Sequence, residues 1–553
     1  MKILIAGVLF LFAARVALFD DVTSAWKLHF KHENSATSNK YLIETMGGGV
    51  ALIDFNNDGR LDIFLTNGAR LEDPMPPGRE PDKSDPRFHN RLFRSNADGT
   101  YTEVTSAARL AGAATGGYGM GVAVGDYDND GYDDLYVTNY GPNVLYRNRG
   151  DGTFEDVTVR AGVAASGWST SAGFFDYDRD GKLDLFVCRY LDWDFAKNRF
   201  CGERRPGHRA YCHPDNFNGV TNLLFHNNGD GTFSDVSEKA GIANPEGKAL
   251  GVAFADYDGD GWPDIYVAND SVRCFLYRNN RDGTFKDTAL AAGVGYNEDG
   301  RAFAGMGVDF ADYDNDGRPD IVVTDLSTET YPLYRNNGDG TFMYVTGTSG
   351  VGKATAEYAG WGTKFVDYDN DGWKDIFAAQ GHVMDTIHLT APNLRYLQPP
   401  LLLRNEHGRF RDVGLAAGGI FTRPSAGRGA AFGDLDNDGD VDIVVSNCGQ
   451  NAYVLSNSSG NRNHWLRIQL TGVRSNRNAI GSRVTVRLAS GLTQTYEVQT
   501  ASSYLAANDR RLLVGLGQEK IVPRVEIRWP SGRVQVLKNV NAGQTLAVKE
   551  PES

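Results

Sequence analysis

Asp126-Tyr-Asp128-Asn-Asp130-Gly131-Tyr132-Asp-Asp134-Leu-Tyr-Val-Thr-Asn139 decides the reading of this chain. It sets carboxylates at positions one, three and five, a Gly at six and another Asp at nine. A β-type run follows at once. Oxygen donors at alternate positions around a Gly turn converge on one hard cation, and Ca²⁺ suits such a set. Tyr132 adds a backbone carbonyl at position seven.

The pattern recurs seven times, roughly 50 to 80 residues apart. The first copy offers Asp54, Asn56, Asp58, Arg60 and Asp62; the Asn removes a charge but keeps an oxygen. The third offers Asp176, Asp178, Asp180, Lys182 and Asp184. The fourth offers Asp256, Asp258, Asp260, Trp262 and Asp264, and the fifth Asp312, Asp314, Asp316, Arg318 and Asp320. The sixth offers Asp367, Asp369, Asp371, Trp373 and Asp375, and the last Asp434, Asp436, Asp438, Asp440 and Asp442. In each set the fourth residue lends only its carbonyl. About seven structural Ca²⁺ sites follow.

An EF-hand is excluded. Its loop needs Glu at position twelve, where this chain has Leu65, Val137, Val187, Val267, Val323, Ala378 and Val445. The flanks are β-branched and aromatic, as strands are. Bare Asx turns are the rival, since Asp and Gly favour turns in any case. Four carboxylates in nine residues repel one another without a cation. The formal net charge is −14, which seven divalent ions would cancel.

The repeat is longer than the loop. A Gly-x-x-Val-Ala-like strand precedes most loops, as in Gly119-Met-Gly-Val-Ala. A third strand of the type Leu-Tyr-Arg-Asn follows, at Leu145 to Asn148, Leu276 to Asn279 and Leu333 to Asn336. A Gly-Asp-Gly-Thr turn then leads to a fourth, such as Phe154 to Thr158. Four antiparallel strands repeated seven times predict an all-β, seven-bladed propeller. The seventh unit lacks its fourth strand, and Phe19-Asp-Asp-Val-Thr23 supplies a candidate from the other end. Closing the ring this way removes an exposed strand edge.

These units resemble FG-GAP/VCBS repeats, the calcium-loop blades also found in integrin α-chain heads. Residues 465–549 resemble the ASPIC/UnbV domain, on Asn463-His-Trp465-Leu, Asn478-Ala-Ile480-Gly481-Ser-Arg-Val, Ser502-Ser-Tyr504-Leu and Val525-Glu-Ile-Arg-Trp529-Pro530-Ser-Gly532. The combination resembles the cartilage acidic protein family. The resemblance implies secretion and calcium binding and leaves biochemical activity open.

Three segments are expected: a signal peptide over 1–17, the propeller over 18–460 and a small β-sandwich-like domain over 461–553. Met1-Lys2 and the apolar run Ile3 to Ala14 suit a signal peptide and are too short to span a bilayer. A retained anchor is the alternative. Cys201 and Cys212 share one insertion and are a candidate disulfide in an oxidising compartment. Cys188, Cys274 and Cys448 read as buried thiols. The acidic balance argues against nucleic acid and anionic lipid as partners. No nucleophile elbow, phosphate loop or zincin motif is present.

Strand order sorts the loops by face. The cation loops share one face, and the long insertions Gly68 to Asn90, Arg189 to Val220 and Gln380 to Pro400 share the other. On that second face the blade-to-blade connections carry Tyr118, Trp168, Lys248, Arg301, Trp361 and Arg428. These are expected to ring the channel mouth and receive a polar or anionic ligand, a glycan or a protein; packing between blades is the alternative for the aromatics. The expected function is a secreted calcium-binding binding or adhesion module. The alternatives are a polysaccharide-acting enzyme on the insertion face, with Tyr190, Asp192, Asp194 and Arg204 the place to look, or a purely structural matrix component.

Overall fold

The structure is a computed structural model that describes residues 18–111, 117–458 and 462–552. The proposed signal segment lies outside the described residues, as does most of the boundary placed near residue 460. Nearly all regular structure is β. No described helix is long and apolar enough to cross a membrane.

Six four-stranded antiparallel sheets and one five-stranded sheet carry the repeats, one per loop; the five-stranded sheet is the first, where a strand from the C-terminal region adds in parallel to an antiparallel four. In the second blade, Tyr118–Gly125 pairs with Asp134–Tyr140, then Val144–Asn148, then Phe154–Asp156. The cation loop joins the first two strands. In the seventh blade the outermost strand is Phe19–Asp21, paired antiparallel with Tyr453–Asn457 so that Phe19 faces Asn457. The N-terminal segment therefore completes the last blade.

Each innermost strand lies against those of its two neighbours, and the last meets the first. Glycine permits this approach. A Cβ on Gly307 would sit 2.0 Å from the Trp361 carbonyl oxygen, and one on Gly429 2.4 Å from that of Gly48. The Gly429 amide donates to that Gly48 oxygen at 3.1 Å, joining blade seven to blade one. Inner strands buried throughout read as continuous apolar and small residues; Tyr118–Gly125 is buried at every position.

A second set of joints repeats around the ring. In blades two to six the Asn ending the third strand donates to a carbonyl of the preceding blade: Asn148 to Phe55, Asn227 to Tyr127, Asn279 to Tyr177, Asn336 to Tyr257 and Asn405 to Tyr313, at 2.8 to 2.9 Å. The position-four Asn of a loop donates to the position-six Gly carbonyl of the next, as Asn57 does to Gly131 and Asn129 to Gly181. Asn437 closes this series on Gly59 at 3.2 Å. These Asn residues adopt left-handed φ near 60°, a conformation Asn tolerates better than most.

The C-terminal residues form a three-stranded and a four-stranded sheet, one containing His464–Thr471 and the other Arg483–Arg487. This β unit sits on the cation-loop face. Arg467 pairs with Asp434 at 2.6 Å, and Arg510 pairs with Asp133. The Asp126 amide donates to Asn478 at 2.6 Å and the Asp256 amide to Glu497 at 3.2 Å.

From this unit, residues 499–508 enter the centre of the ring. Ser503 exchanges two backbone hydrogen bonds with Val308, at 2.7 and 3.1 Å. Ala506 and Ala507 pair in parallel with Val50 and Ala51. Thr500 Oγ1 donates to Val124 O, Ser503 Oγ to Ala430 O, and the Leu505 amide to Ser171 Oγ. Tyr504 spans to the far side, where its hydroxyl donates to Met46 O at 2.8 Å and its ring meets Trp361 at 4.9 Å. The segment touches the inner strands of six blades, and the channel is filled. Ser503 and Leu505 hold positive φ, a cost offset by these hydrogen bonds.

Cys201 and Cys212 are joined as a disulfide, and Cys188, Cys274 and Cys448 are buried free thiols. On the insertion face, Tyr41, Trp168, Tyr190, Trp193 and Tyr211 belong to one buried cluster that also takes in Tyr504 and Trp361.

Tyr504→Ala is expected to cost about 3–5 kcal/mol, the range for deleting a fully buried aromatic, because it also leaves the Met46 carbonyl and the Trp361 face without a partner. Denaturant unfolding of the full chain checks this. A loss below 1 kcal/mol, on the order of a surface substitution, would mean the plug adds little to stability.

Candidate metal centres and the insertion face

Each loop is built around its last Asp. Asp134 is fully buried. Its Oδ1 accepts from the Asn148 amide at 2.7 Å and its Oδ2 from the Tyr127 amide at 3.2 Å. The same two bonds, from the third-strand terminus and from position two, reach Asp62, Asp184, Asp264, Asp320, Asp375 and Asp442. The first Asp is held from the turn: Asp126 accepts from the Asp130 amide at 2.9 Å and the Gly131 amide at 2.8 Å. Gly131 sits at φ 97°, where a side chain would be strained.

The carboxylates converge as the spacing predicts. Asp126, Asp128 and Asp134 offer oxygens within 4.8 Å of one another, and so do Asp176, Asp178 and Asp184, Asp256, Asp258 and Asp260, and Asp312, Asp314 and Asp316. In five loops one buried carboxylate oxygen has no hydrogen-bond partner: Asp176 Oδ1, Asp256 Oδ1, Asp314 Oδ1, Asp369 Oδ1 and Asp434 Oδ1. A buried unpaired carboxylate oxygen is costly. All-oxygen donors with an unfilled acceptor fit a hard divalent cation.

The electrostatics agree. Burial, reinforced by neighbouring carboxylates, raises Asp62 and Asp176 to about 8 and Asp126 to about 7. Asp134, Asp264, Asp320, Asp375 and Asp442 are pushed well above the carboxylate range, first by burial.

The third-strand Arg is the residue whose role the sequence reading missed. Arg147 bridges Asp128 and Asp130 at 2.5 and 2.7 Å, and Arg335 bridges Asp314 and Asp316 at 2.5 and 2.9 Å. Arg278 and Arg404 do the same in blades four and six. The signal was present in Leu-Tyr-Arg-Asn, where strand alternation turns Arg and the loop to one side.

The expected ring of ligand-binding residues is corrected. Tyr118, Trp168, Trp361 and Arg428 are at most 1 % exposed. Arg428 donates to the Thr45 carbonyl at 2.6 Å and lies 4.1 Å from the Trp361 ring centre. Trp168 is enclosed by Tyr140, Tyr190 and Trp193 at 5.0 to 6.0 Å between ring centres. The reason is non-local: the insertions fold over the channel mouth and Tyr504 fills it from below. Lys248 is largely buried, its Nζ donating to Pro214 O at 3.0 Å. Arg301 stays exposed. The suggested catalytic group does not assemble either. Tyr190 is buried with its hydroxyl on Asp270, Asp192 and Asp194 pair with Lys197 at the surface, and Arg204 lies over Phe200.

The insertion face carries an open groove of about 1100 Å³, lined by Arg189, Asp192, Phe217, Lys248, Arg273 and Tyr296 among others.

Repeated sheets with acidic loops at their first hairpin define a class. The model of FG-GAP-like repeats matches residues 54–137, 126–187, 215–267, 256–323 and 312–378, more than half of the chain. The chain belongs to the FG-GAP-like repeat family, and residues 472–553 match the ASPIC and UnbV model. It is 28 % identical over 329 residues to cartilage acidic protein 1 of Homo sapiens, covering 57 % of this chain and 46 % of the relative. The Mus musculus protein is 27 % identical over 330 residues, covering 57 % and 47 %. The chain thus spans about half the length of the curated relatives it matches. Among solved structures, an Agrocybe aegerita lectin recognising terminal N-acetylglucosamine has TM-score 0.38 at 19 % identity, covering 68 % of this chain and 82 % of its own. PorZ of Porphyromonas gingivalis has TM-score 0.40 at 10 % identity, covering 92 % and 59 %.

A carboxyl with a raised folded pKa keeps its proton in the fold. Its stabilising contribution is complete below its unfolded value near 3.8 and is lost as pH rises through about 7 to 8 for Asp62, Asp126 and Asp176. Chelator-treated protein is therefore expected to melt at progressively lower temperature from pH 5 to pH 8.5. A pH-independent melting temperature in chelator would contradict the burial of these groups in the metal-free fold.

Proposed function

We propose that the chain is a secreted, calcium-stabilised binding module whose insertion-bearing face holds an extracellular glycan or protein. In this reading residues 1–17 direct secretion, 18–460 form the propeller and 461–553 form a docked β domain. The seven loops each take a Ca²⁺ through positions one, three, five and nine and the carbonyl of position seven.

One observation carries the choice of face. The C-terminal unit covers the loop side and fills the channel, which leaves the insertion side open. The groove there combines Arg189, Arg273 and Asp192 with the apolar edges of Phe217 and Tyr296, a mixture suited to a polar ligand with some ring surface. Calcium is supported by the all-oxygen donor sets and their unpartnered buried oxygens. Its role is structural, since each donor set is local to one hairpin.

Two experiments test this. Bound-metal analysis should give close to seven calcium ions per chain, and EGTA should lower the melting temperature by ten degrees or more, since extracellular calcium modules bind at about 10⁻⁴–10⁻³ M. An unchanged melting temperature with no bound calcium would defeat the metal reading. On a glycan and matrix-protein array, Tyr296→Ala with Asp192→Ala should weaken any ligand about tenfold or more while the melting curve stays put. Unchanged binding would move the ligand off the groove.

A further inference from the structure

The seven repeats carry their own internal control. At the third-strand position that faces the loop, six blades have Arg94, Arg147, Arg278, Arg335, Arg404 and Ser456, and blade three has His226. Where the Arg side chain reaches the loop, it can only neutralise position-three and position-five carboxylates; guanidinium has no lone pair to give a metal. Imidazole does.

His226 is placed to use it. Its Nδ1 lies 3.2 Å from Asp184 Oδ1 and 3.5 Å from Asp178 Oδ2. Asp178, Asp180 and His226 each present one ligand atom within 4.8 Å of the others. Lys182 also pairs with Asp180, from the outer side of the turn. A second observation bears on the same loop: Asp176, whose carboxylate converges with those of Asp178 and Asp184, is 4 % exposed and has its Oδ1 buried with no hydrogen-bond partner, while its Oδ2 is held by the Gly181 amide at 3.1 Å. The loop therefore carries four carboxylates, one of them with an unfilled buried oxygen, and a nitrogen donor that its sisters lack.

Donor chemistry separates the metals. Calcium takes oxygen ligands and gains little from imidazole, whereas first-row divalent ions favour mixed imidazole and carboxylate sets. We propose that the blade-three loop, which takes Ca²⁺ like its sisters when calcium alone is supplied, is a distinct site that prefers a first-row divalent metal of the Zn²⁺ or Co²⁺ type when one is present, with His226 Nδ1 and the carboxylates of Asp178 and Asp180 as its core ligands. This rests on the reading of the sister loops as calcium sites. Arg in blades two, four, five and six holds those loops to oxygen chemistry; His opens the third to nitrogen chemistry. Metal on Nδ1 takes the place of a proton shared with Asp184 Oδ1, the proton leaving to solvent, and Asp184 then shares the metal through that same oxygen.

The test uses the full chain, stripped with chelator and dialysed against excess Ca²⁺ with limiting Co²⁺. About one equivalent of Co²⁺ is expected to remain bound against calcium, with visible absorption bands characteristic of nitrogen ligation. In His226→Arg, which copies the sister blades, that equivalent and its bands should disappear while the calcium-dependent rise in melting temperature persists. His226→Gln, a smaller change, should also lose the bands. Failure of wild type to retain Co²⁺ against calcium overturns the proposal, and so does equal retention by both variants; His226 would then be a charge partner standing in for Arg. If calcium fails to raise the melting temperature of wild type and variants alike, the calcium reading itself falls and the proposal falls with it.

Discussion

The structure depends on a buried aspartate that accepts two backbone N–H groups, repeated once per blade. Asp134, Asp264, Asp320 and their counterparts each fasten a cation loop to the start of the third strand. Two charge-assisted hydrogen bonds to amides fix the loop's exit and the strand's register together. The same burial makes the carboxylate expensive to ionise, and its neighbours in the loop add repulsion. Either a proton or a cation must settle that charge. The third-strand Arg relieves only the outer part of it, because it reaches positions three and five and not the first or last Asp. The fold thus creates an unmet demand for positive charge at the same place in every repeat.

That demand reaches the C-terminal unit, which docks on the loops and not on the strands. Arg467 and Arg510 meet Asp434 and Asp133, and Asn478 and Glu497 receive the amides of Asp126 and Asp256. Loop shape therefore sets the docking surface. The same unit sends residues 499–508 through the ring to Trp361 and Met46. Cation loops, docked unit, plug and insertion face form one mechanical series, and a filled channel removes the centre of the propeller from the places a ligand can occupy.

The loops and blades were legible in the sequence because their chemistry is local. Nine residues contain the whole donor set, and composition alone separates these flanks from EF-hand helices. Closure by Phe19–Asp21 was legible from counting strands. The disulfide followed from two cysteines sharing one insertion. The ligand ring was not legible. Trp168 and Trp361 are buried by segments distant in sequence, Trp193 and Tyr504, so neither burial leaves a mark near the residue itself. The plug was visible only as the phrase Ser502-Ser-Tyr504-Leu, whose alternation is no different from that of a strand. The Arg bridges lay in plain view but were absorbed into a strand motif, since a side chain's facing partner is set by pairing and not by spacing.

The ring also couples its sites. A position-four Asn donates across to the position-six Gly carbonyl of the next loop, so Asn129 holds Gly181 and Asn315 holds Gly372. That Gly is the turn whose amide grips the first Asp of its own loop. A loop that relaxes therefore loosens the turn next to it, and Asn437 carries the effect from the last blade to the first through Gly59. Blades three and four break the pattern: Arg179 occupies position four of the third loop and donates to the Pro530 carbonyl instead, and Gly259 in the fourth has no side chain to donate. The coupling is directional and is interrupted on both sides of blade four. Relaxation of one loop should then pass along blades five, six, seven, one, two and three more readily than it reaches blade four, so six loops form an open chain and the fourth stands apart.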